Sequence, residues 1–228
     1  MRRAVRARIA LAFSGICVLA LAVGLGVLAS LHGRAASVSP VPGEQTIEDT
    51  PTADGSGFPD VDWEAWRAIN PDVIGWISIP GTPVDYPIVQ APADDPTYYL
   101  KHDVYRKPNY MGCPYLDADC AEGGLFGSAN AVVFGHNLGF GDTSMFNAVA
   151  SYTDASFARE HRRVLLQTPD ERREFEVQAA DCIGGWEAQK RTRFESEADF
   201  SQWYADRLVE SDMRLTDEAV DRKSTRLN

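Results

Sequence analysis

The sequence predicts a mainly β fold, a small barrel of short strands with a few helices at its periphery. Several short runs rich in Val, Ile, Leu and aromatic residues are bounded by turns that contain Pro, Gly or Asp. Only a few segments show the 3.6-residue periodicity of a helix, and the clearest of them comes late in the chain. A composition of 44% hydrophobic and 24% charged residues fits a globular domain.

The N-terminus has the features of a membrane anchor. Residues 1–8 hold four arginines and no acidic residue, and residues 9–31 are uncharged and mostly apolar. As a helix, residues 9–31 are long enough to cross a hydrocarbon core of about 30 Å. We expect a single-pass signal-anchor in the cell membrane, with 1–8 as a cytoplasmic tail and the following domain extracellular. A cleaved signal peptide and a buried core helix are the alternatives.

An acidic spacer follows the apolar segment. Residues 35–62 contain six acidic residues, no Lys or Arg, and several Pro, Gly, Ser and Thr. We therefore expect residues 32–60 to be an extracellular linker and residues 61–220 to form the folded domain. The chain carries 22 Lys and Arg residues, four of them in 1–8, against 33 acidic ones. A domain this acidic lacks the basic face that nucleic-acid binding needs, so no nucleic-acid partner is expected.

The folded domain opens with a short helix and two strands. In "VDWEAWRAIN", Trp63 and Trp66 share one helical face, and Asp60 or Asp62 can cap the N-terminus. After Pro71 the pattern changes to that of a strand in "DVIGWISI". The segment "PGTPVDYPIVQ" then predicts a turn followed by a second strand.

The second half of the domain alternates short helices and strands. "SMFNAVASY" and "DASFAREH" predict helices, and a turn at "PDER" separates two predicted strands. The late segment "SEADFSQWYADRLVES" predicts a helix that Ser196 caps, with Asp199 three residues later. The remaining predictions are strands at Ala131–Phe134, Arg163–Thr168 and Glu174–Ala180, and an apolar stripe on the late helix formed by Phe200, Trp203, Tyr204 and Leu208.

His136 is the strongest candidate for chemistry. In "NAVVFGHNLGFGDTSMF" it follows an apolar run and precedes a glycine-rich loop. Gly135 permits a tight turn, Asn137 can bond to nearby backbone, and loops on rigid scaffolds are where catalytic groups concentrate. An imidazole can exchange protons near neutral pH, so His136 suits a general acid–base role. The structural alternative is a loop histidine satisfied by backbone groups.

The other histidines and the cysteines give weaker signals. His102 and His161 show no spacing typical of metal ligands and are interpreted as structural, so no metal site is expected. Cys113 and Cys120 are close enough in sequence for a disulfide, which the sequence leaves open. A zinc site is disfavoured because "CPYLDADC" lacks a second ligand pair. The chain contains no "GxSxG" motif of serine hydrolases.

Taken together, these segments resemble class B sortases over residues 61–212, about two thirds of the chain. The resemblance implies an eight-stranded β-barrel with N-terminal helices and a further helix before the penultimate strand, and it implies no cofactor. The matching segments, in chain order, are "WRAINPDVIGWISIPGTPVDYPIVQ", "YYLKHDV", "GCPYLDAD", "NAVVFGHN", "MFNAVASYTDASFAREHRRVLLQTPD" and the helix around "FSQWYADRL".

The resemblance also implies an activity, cysteine transpeptidation at the surface of a Gram-positive cell. Such enzymes cleave a C-terminal sorting signal of a secreted protein and form a thioester with it. An amine of a peptidoglycan precursor or a pilin then resolves the thioester. His136 matches the catalytic histidine of the family, with the role of general acid and base.

Two family motifs have no counterpart in this sequence. Class B sortases carry their nucleophilic cysteine in a T-L-x-T-C strand after the late helix, and an oxyanion-stabilising arginine about one strand later. The final "DRKSTRLN" resembles the translation of a sequencing-library adapter. We therefore expect that the reading frame was lost near Val220, that 61–220 is an incomplete sortase domain lacking its last strands, and that 221–228 is a non-native tail. An ordinary polar tail is the alternative.

A chain without that cysteine and arginine is expected to have no transpeptidase activity of its own. One rival function is a catalytically inactive, membrane-tethered binding module with a sortase-like barrel. A second is a thiol hydrolase that pairs His136 with Cys182 or Cys113. Cys182 is otherwise expected to be a small buried residue at the end of a strand.

Overall fold

The computed structural model describes residues 9–11, 57–139, 144–183 and 190–215. Their strands form a curled sheet with short helices around it, which confirms the mainly β prediction. The strands are β1 (Ile9–Leu11), β2 (Val73–Ser78), β3 (Asp85–Gln90), β4 (Tyr115–Leu116), β5 (Val133–Phe134), β6 (Arg163–Gln167), β7 (Arg172–Ala180) and β8 (Met213–Arg214). The α-helices are α1 (Trp63–Ile69), α2 (Gly124–Gly127), α3 (Asn147–Ala150), α4 (Ala155–Glu160) and α5 (Glu197–Glu210).

The sheet has the strand order β1-β7-β6-β2-β3-β4-β5, and β8 pairs with the end of β7. β2 is central and runs antiparallel to both β3 and β6. β4 pairs parallel to β3 and antiparallel to β5, so β5 ends the sheet on that side. The loop that contains His136 therefore starts from the last strand of the sheet.

The N-terminal helix is fixed to the sheet by aromatic packing. The carboxylate of Asp62 accepts a hydrogen bond of 2.9 Å from the backbone N–H of Ala65, which identifies Asp62 as the cap of α1. Trp66 is buried and packs on Trp76 of β2, with 5.5 Å between ring centroids. Both β2 and β3 are apolar and largely buried, as expected for strands covered on both faces.

The buried side chains form two clusters. The larger cluster joins β2, β6 and β7 to the helices α3 and α4, and it includes Phe146 and Tyr152. The smaller cluster joins α1 to β2, β3 and β4, and it includes Tyr99 and Cys113. His136 is buried in the loop beyond β5, and Phe146 beside it belongs to the larger cluster.

The late helix α5 lies in the segment between β7 and β8, which we call the late excursion. Hydrogen bonds at Asp181 and Asp212 join the two ends of this segment and so close its base. The backbone N–H of Asp212 donates to the carboxylate of Asp181 (2.9 Å), and the backbone N–H of Cys182 donates to the carboxylate of Asp212 (2.8 Å). Ser196 caps α5 as predicted, accepting a bond of 3.1 Å from the N–H of Asp199. No residue of α5 is buried.

The aromatic stripe of α5 is only partly covered. Its rings pack mainly on one another and on Phe194, with centroid separations of 5.0 Å to Phe200 and 5.1 Å to Trp203. Before the helix, the Lys190 ammonium binds the carboxylates of Asp117 and Asp119, each at 2.7 Å. These contacts attach the excursion to the segment after β4.

Several elements differ in extent from the predictions. The predicted strand Ala131–Phe134 is confined to β5, and "SMFNAVASY" contributes only α3 followed by a 3-10 turn at Ser151–Thr153. The strands β4 and β8 were not predicted, because two-residue pairings leave no periodic pattern. Two further 3-10 turns lie at Tyr98–Leu100 and Ala118–Cys120.

At the N-terminus, β1 pairs parallel to β7, with Ile9 opposite Val177 and Leu11 opposite Ala180. These three residues differ from the predicted transmembrane helix, since their backbone pairs with the edge of the sheet, where hydrogen-bonding groups are open to a partner. The rest of the predicted anchor and linker up to residue 56 lies outside the described residues. Within the described ranges, no helix has both the length and the apolar character to span a bilayer. The anchor stays a prediction.

Candidate active site

His136 is held in a tight crossing between β5 and α3. It is 8% exposed, and its carbonyl accepts a bond of 2.9 Å from the N–H of Phe146. A Cβ atom on Gly135 would lie 2.4 Å from the ring of Phe146. Only glycine leaves room for that ring, so the sequence "FGH" lets the chain pass over Phe146 and bury the histidine.

The imidazole lies against the backbone of a second loop. Its Nε2 atom is 2.8 Å from the carbonyl oxygen of Leu100, at the end of the 3-10 turn Tyr98–Leu100. Gly112 has φ +63°, and a Cβ there would lie 2.9 Å from Cδ2 of His136. The same atom would lie 2.5 Å from the carbonyl oxygen of Tyr99. The ring therefore occupies a slot that depends on Gly112 having no side chain.

The hydrogen bond to Leu100 determines which nitrogen is available for chemistry. A carbonyl only accepts, so Nε2 carries the proton and donates it. In the neutral ring Nδ1 is then an acceptor with a free lone pair. Nδ1 is buried and has no partner among the described residues. An unpaired buried polar atom costs about 1–3 kcal/mol, so such an atom calls for a functional explanation.

A second unpaired group lies at the start of α3, where the loop after His136 ends. The Oδ1 atom of Asn147 accepts from the backbone N–H groups of Leu138 and Gly139, the latter at 3.1 Å. These two bonds fix the orientation of the amide, and its Nδ2 is buried without a partner among the described residues. The loop is also held where Met145, with φ +51°, donates its N–H to the Tyr86 hydroxyl at 3.0 Å. Asn147 was missed in the sequence because it lies in a predicted helix.

The described cysteines do not supply a nucleophile for His136. Cys113 and Cys120 are buried free thiols in different core clusters, so the structure shows no disulfide between them. Burial raises the pKa of both thiols, which keeps them protonated and unreactive. The Cys113 Sγ atom is directed to the carbonyl oxygen of Pro87, at 3.9 Å.

Cys182 is exposed, so the expectation of a small buried residue is wrong. It lies two residues beyond β7, where the chain leaves the sheet and the neighbouring strand no longer covers it. Within the described ranges, Nδ1 of His136 has no partner, so the Cys182 thiol does not bond to it.

The other two described histidines contact backbone. Nδ1 of His102 lies 2.8 Å from the carbonyl oxygen of Tyr98, and its ring stacks on the Tyr98 ring at 3.9 Å. His161 ends α4, and its Nδ1 lies 3.1 Å from the carbonyl oxygen of Pro80. Across the described residues, no group of three or more His, Cys, Asp and Glu side chains is arranged to hold a metal ion.

A cavity of about 540 Å³ opens elsewhere on the domain, beside Asp72 and Arg106. His136 is not among the residues that line it. The cavity and the histidine slot are therefore separate features.

Comparison with known proteins points to one family. No protein-family model matches the chain. Sortase B of Staphylococcus aureus is 26% identical over 158 residues, which are 68% of this chain and 62% of that protein. Sortase B of Listeria monocytogenes is 33% identical over 95 residues, which are 42% of this chain and 36% of that protein. The aligned part of this chain therefore spans less than two thirds of the length of either relative.

The fold matches solved structures of the same family. A Staphylococcus aureus sortase B–substrate complex aligns with a TM-score of 0.60 and 25% identity, covering 68% of each chain. A cysteine-to-serine mutant of Clostridium perfringens sortase B aligns with a TM-score of 0.59 and 25% identity, covering 67% of this chain and 70% of that one. In sequence and in fold, the chain is similar to the class B sortases.

Proposed function

We propose that the domain serves in a membrane-anchored cysteine transpeptidase that cleaves the sorting signal of secreted proteins and transfers them to an amine. One observation carries the proposal, the buried His136 ring with Nε2 bound to Leu100 and Nδ1 left unpaired. The related solved structures include sortase B with a substrate and sortase B with triglycine. A peptide carbonyl and a primary amine are the two reactants that such a transfer needs.

The geometry suits two successive proton transfers at Nδ1. In the first, a thiolate attacks the carbonyl carbon of the scissile bond, and the protonated ring donates from Nδ1 to the departing amine. In the second, the neutral ring accepts a proton at Nδ1 from the incoming amine as that amine displaces the sulfur. The Leu100 carbonyl accepts from Nε2–H in both protonation states, so the ring need not turn between the steps.

The nucleophile is proposed to come from residues that this sequence does not include. The buried thiols Cys113 and Cys120 are protonated and directed elsewhere. By the resemblance to class B sortases, we expect a cysteine in a strand after the late helix and an oxyanion-stabilising arginine about one strand later. The acidic linker and the N-terminal anchor would hold the domain at the outer face of the membrane, where secreted substrates emerge.

The test is to sequence the gene beyond codon 220 from an independent clone and to express the resulting protein. We expect a downstream T-L-x-T-C motif and thiol-dependent cleavage of a sorting-signal peptide. In that protein His136→Gln should lower turnover by about 10²–10⁴-fold, the usual contribution of a general acid–base. His161→Gln is the matched control, since His161 also bonds to a backbone carbonyl but lies elsewhere. Equal activity in both variants would refute the role of His136.

The burial of Cys113 and Cys120 also supports a second candidate, an inactive, membrane-tethered binding module with this barrel. It predicts that the gene ends near codon 228 without a further cysteine, and that the chain retains affinity for sorting-signal peptides. The thiol-hydrolase alternative now depends on Cys182, the exposed thiol of the described residues. It predicts that a substrate-like electrophile alkylates Cys182, and that His136→Gln slows this reaction.

A further inference from the structure

A cluster of polar side chains lies one residue away from the carbonyl that binds His136. Tyr99 is fully buried, and its hydroxyl donates to the Asp72 carboxylate at 2.7 Å and accepts from the Asn70 amide at 2.8 Å. The Arg106 guanidinium joins the same two residues, with Nη2 at 2.7 Å from the Asp72 carboxylate and Nε at 3.0 Å from the Asn70 amide oxygen. The four side chains form a closed ring of hydrogen bonds.

The cluster fixes the backbone as well as the side chains. Asn70 is fully buried, and its amide also donates to the carbonyl of Val104 at 2.9 Å. Arg106 has φ +59°, a conformation that a residue with a side chain adopts at a cost and keeps only where its surroundings demand it. The two hydrogen bonds of the Arg106 guanidinium to the cluster stabilise this conformation. The cluster therefore ties both ends of this loop, Tyr99 and Arg106, to Asn70 and Asp72.

The connection from Tyr99 to His136 is short. The Tyr99 carbonyl accepts from the N–H of Cys113 at 2.9 Å, which places Gly112 against the 3-10 turn Tyr98–Leu100. The next carbonyl, that of Leu100, is the partner of His136 Nε2. The ring itself lies on Gly112. Any shift of the Tyr99 backbone thus moves both the acceptor and the floor of the histidine slot.

We propose that Tyr99 is a positioning residue for His136. Through its hydrogen bonds to the Asn70–Asp72–Arg106 cluster, Tyr99 holds the Leu100 carbonyl in place. That carbonyl keeps the proton of His136 on Nε2 and leaves Nδ1 free. This deepens the proposed function, since Nδ1 is the atom through which both proton transfers pass. Without the cluster, the 3-10 turn loses the polar contacts of the Tyr99 side chain, and the His136 ring can exchange the Nε2–H form for the Nδ1–H form.

The test measures the tautomer of His136 directly. The full chain is labelled with ¹⁵N-histidine, and His136 is assigned by comparison with His136→Gln. The ring nitrogen shifts are recorded along a pH series and compared where they no longer change as the pH is raised. We expect the Nε2–H form to dominate in the unmodified chain. In Tyr99→Phe the ratio of Nε2–H to Nδ1–H should fall by about fivefold, the effect of weakening one hydrogen bond.

Tyr152→Phe is the matched control. Tyr152 is equally buried, and its hydroxyl donates to the carbonyl of His161 at 2.6 Å, away from the cluster. It should leave the His136 ratio unchanged. If Tyr99→Phe fails to fold, Arg106→Gln breaks the cluster from its half-exposed end and should shift the ratio in the same direction.

An unchanged ratio in a folded cluster variant, or an equal shift in Tyr152→Phe, overturns the proposal. Turnover plays no part in this measurement. If the protein extended beyond codon 220 cleaves a sorting-signal peptide but the ratio is unchanged in the cluster variants, only the role of Tyr99 is refuted. If the ratio shifts but that extended protein, with Tyr99 intact, cleaves no such peptide, the role of Tyr99 stands and the proposed function is refuted.

Discussion

Replacing Gly112 with alanine tests whether the slot for His136 depends on the missing side chain. The added Cβ would lie 2.5 Å from the Tyr99 carbonyl oxygen, 2.9 Å from His136 Cδ2 and 3.2 Å from the Leu100 carbonyl oxygen. Two of these atoms are backbone, so the contacts cannot be relieved by turning a side chain. The positive φ costs about 1–2 kcal/mol, and losing the hydrogen bond to Leu100 adds about 0.5–1.5 kcal/mol. We expect Gly112→Ala to lower the free energy of unfolding by about 1.5–3.5 kcal/mol.

Gly124→Ala separates the steric effect from the backbone effect. Gly124 has φ +60°, and no described atom lies within 4 Å of its added Cβ. The control should therefore lose only about 1–2 kcal/mol. With a urea dependence of about 2 kcal/mol per molar, the unfolding midpoint should fall by about 0.8–1.8 M in Gly112→Ala and by about 0.5–1 M in the control. Equal midpoints in the two variants would refute the claim that the His136 slot requires a residue without a side chain at position 112.

Two further predictions concern buried polar groups. Burial and the Asp72 carboxylate raise the pKa of Tyr99 to about 12. Tyr99 therefore stays protonated in the folded protein at a pH where it ionises in the unfolded chain. Its contribution to stability is lost as the pH rises from about 10 to 12. Tyr99→Phe should destabilise the protein at pH 8, and this deficit should shrink by about 1.4 kcal/mol per pH unit above pH 10 in urea titrations. A deficit that stays constant to about pH 11.5 would contradict the assignment. Lys190→Met leaves the buried Asp117 carboxylate without its cation and should cost about 1–2 kcal/mol, a value reduced for the partial exposure of the lysine. Lys101→Met, at an exposed lysine, is the control and should cost almost nothing. Adding Asp117→Asn to the Lys190→Met variant should restore part of the lost stability. A Lys190→Met variant as stable as the parent chain would show that the ion pair contributes nothing.

The elements with clear periodicity were predicted from the sequence. The cap Asp62, the cap Ser196 and the strands of the central sheet follow from local patterns, because each needs only a few neighbouring residues to define it. The short strands β4 and β8 depend on partners far along the chain, and no local signal marks them. Cys182 shows the same limit, since its exposure is decided by where the strand β7 ends.

The candidate site was predicted only in its centre. His136 was identified from its position between an apolar run and a glycine-rich loop. Its partner is the main-chain carbonyl of Leu100, and a main-chain acceptor leaves no trace in residue identity. Gly112 is visible in the sequence as a glycine, but the close approach of the ring becomes visible only in three dimensions.

The closed base of the late excursion has a consequence for how the surface of this fold can vary. Asp181 and Asp212 hold the two ends of the excursion together through backbone hydrogen bonds, and α5 between them buries no residue in the core. Substitutions along that helix change a surface, while the packing of the sheet and the position of His136 in its slot stay the same. A surface mounted in this way can be exchanged for another of different sequence without refolding the sheet beneath it.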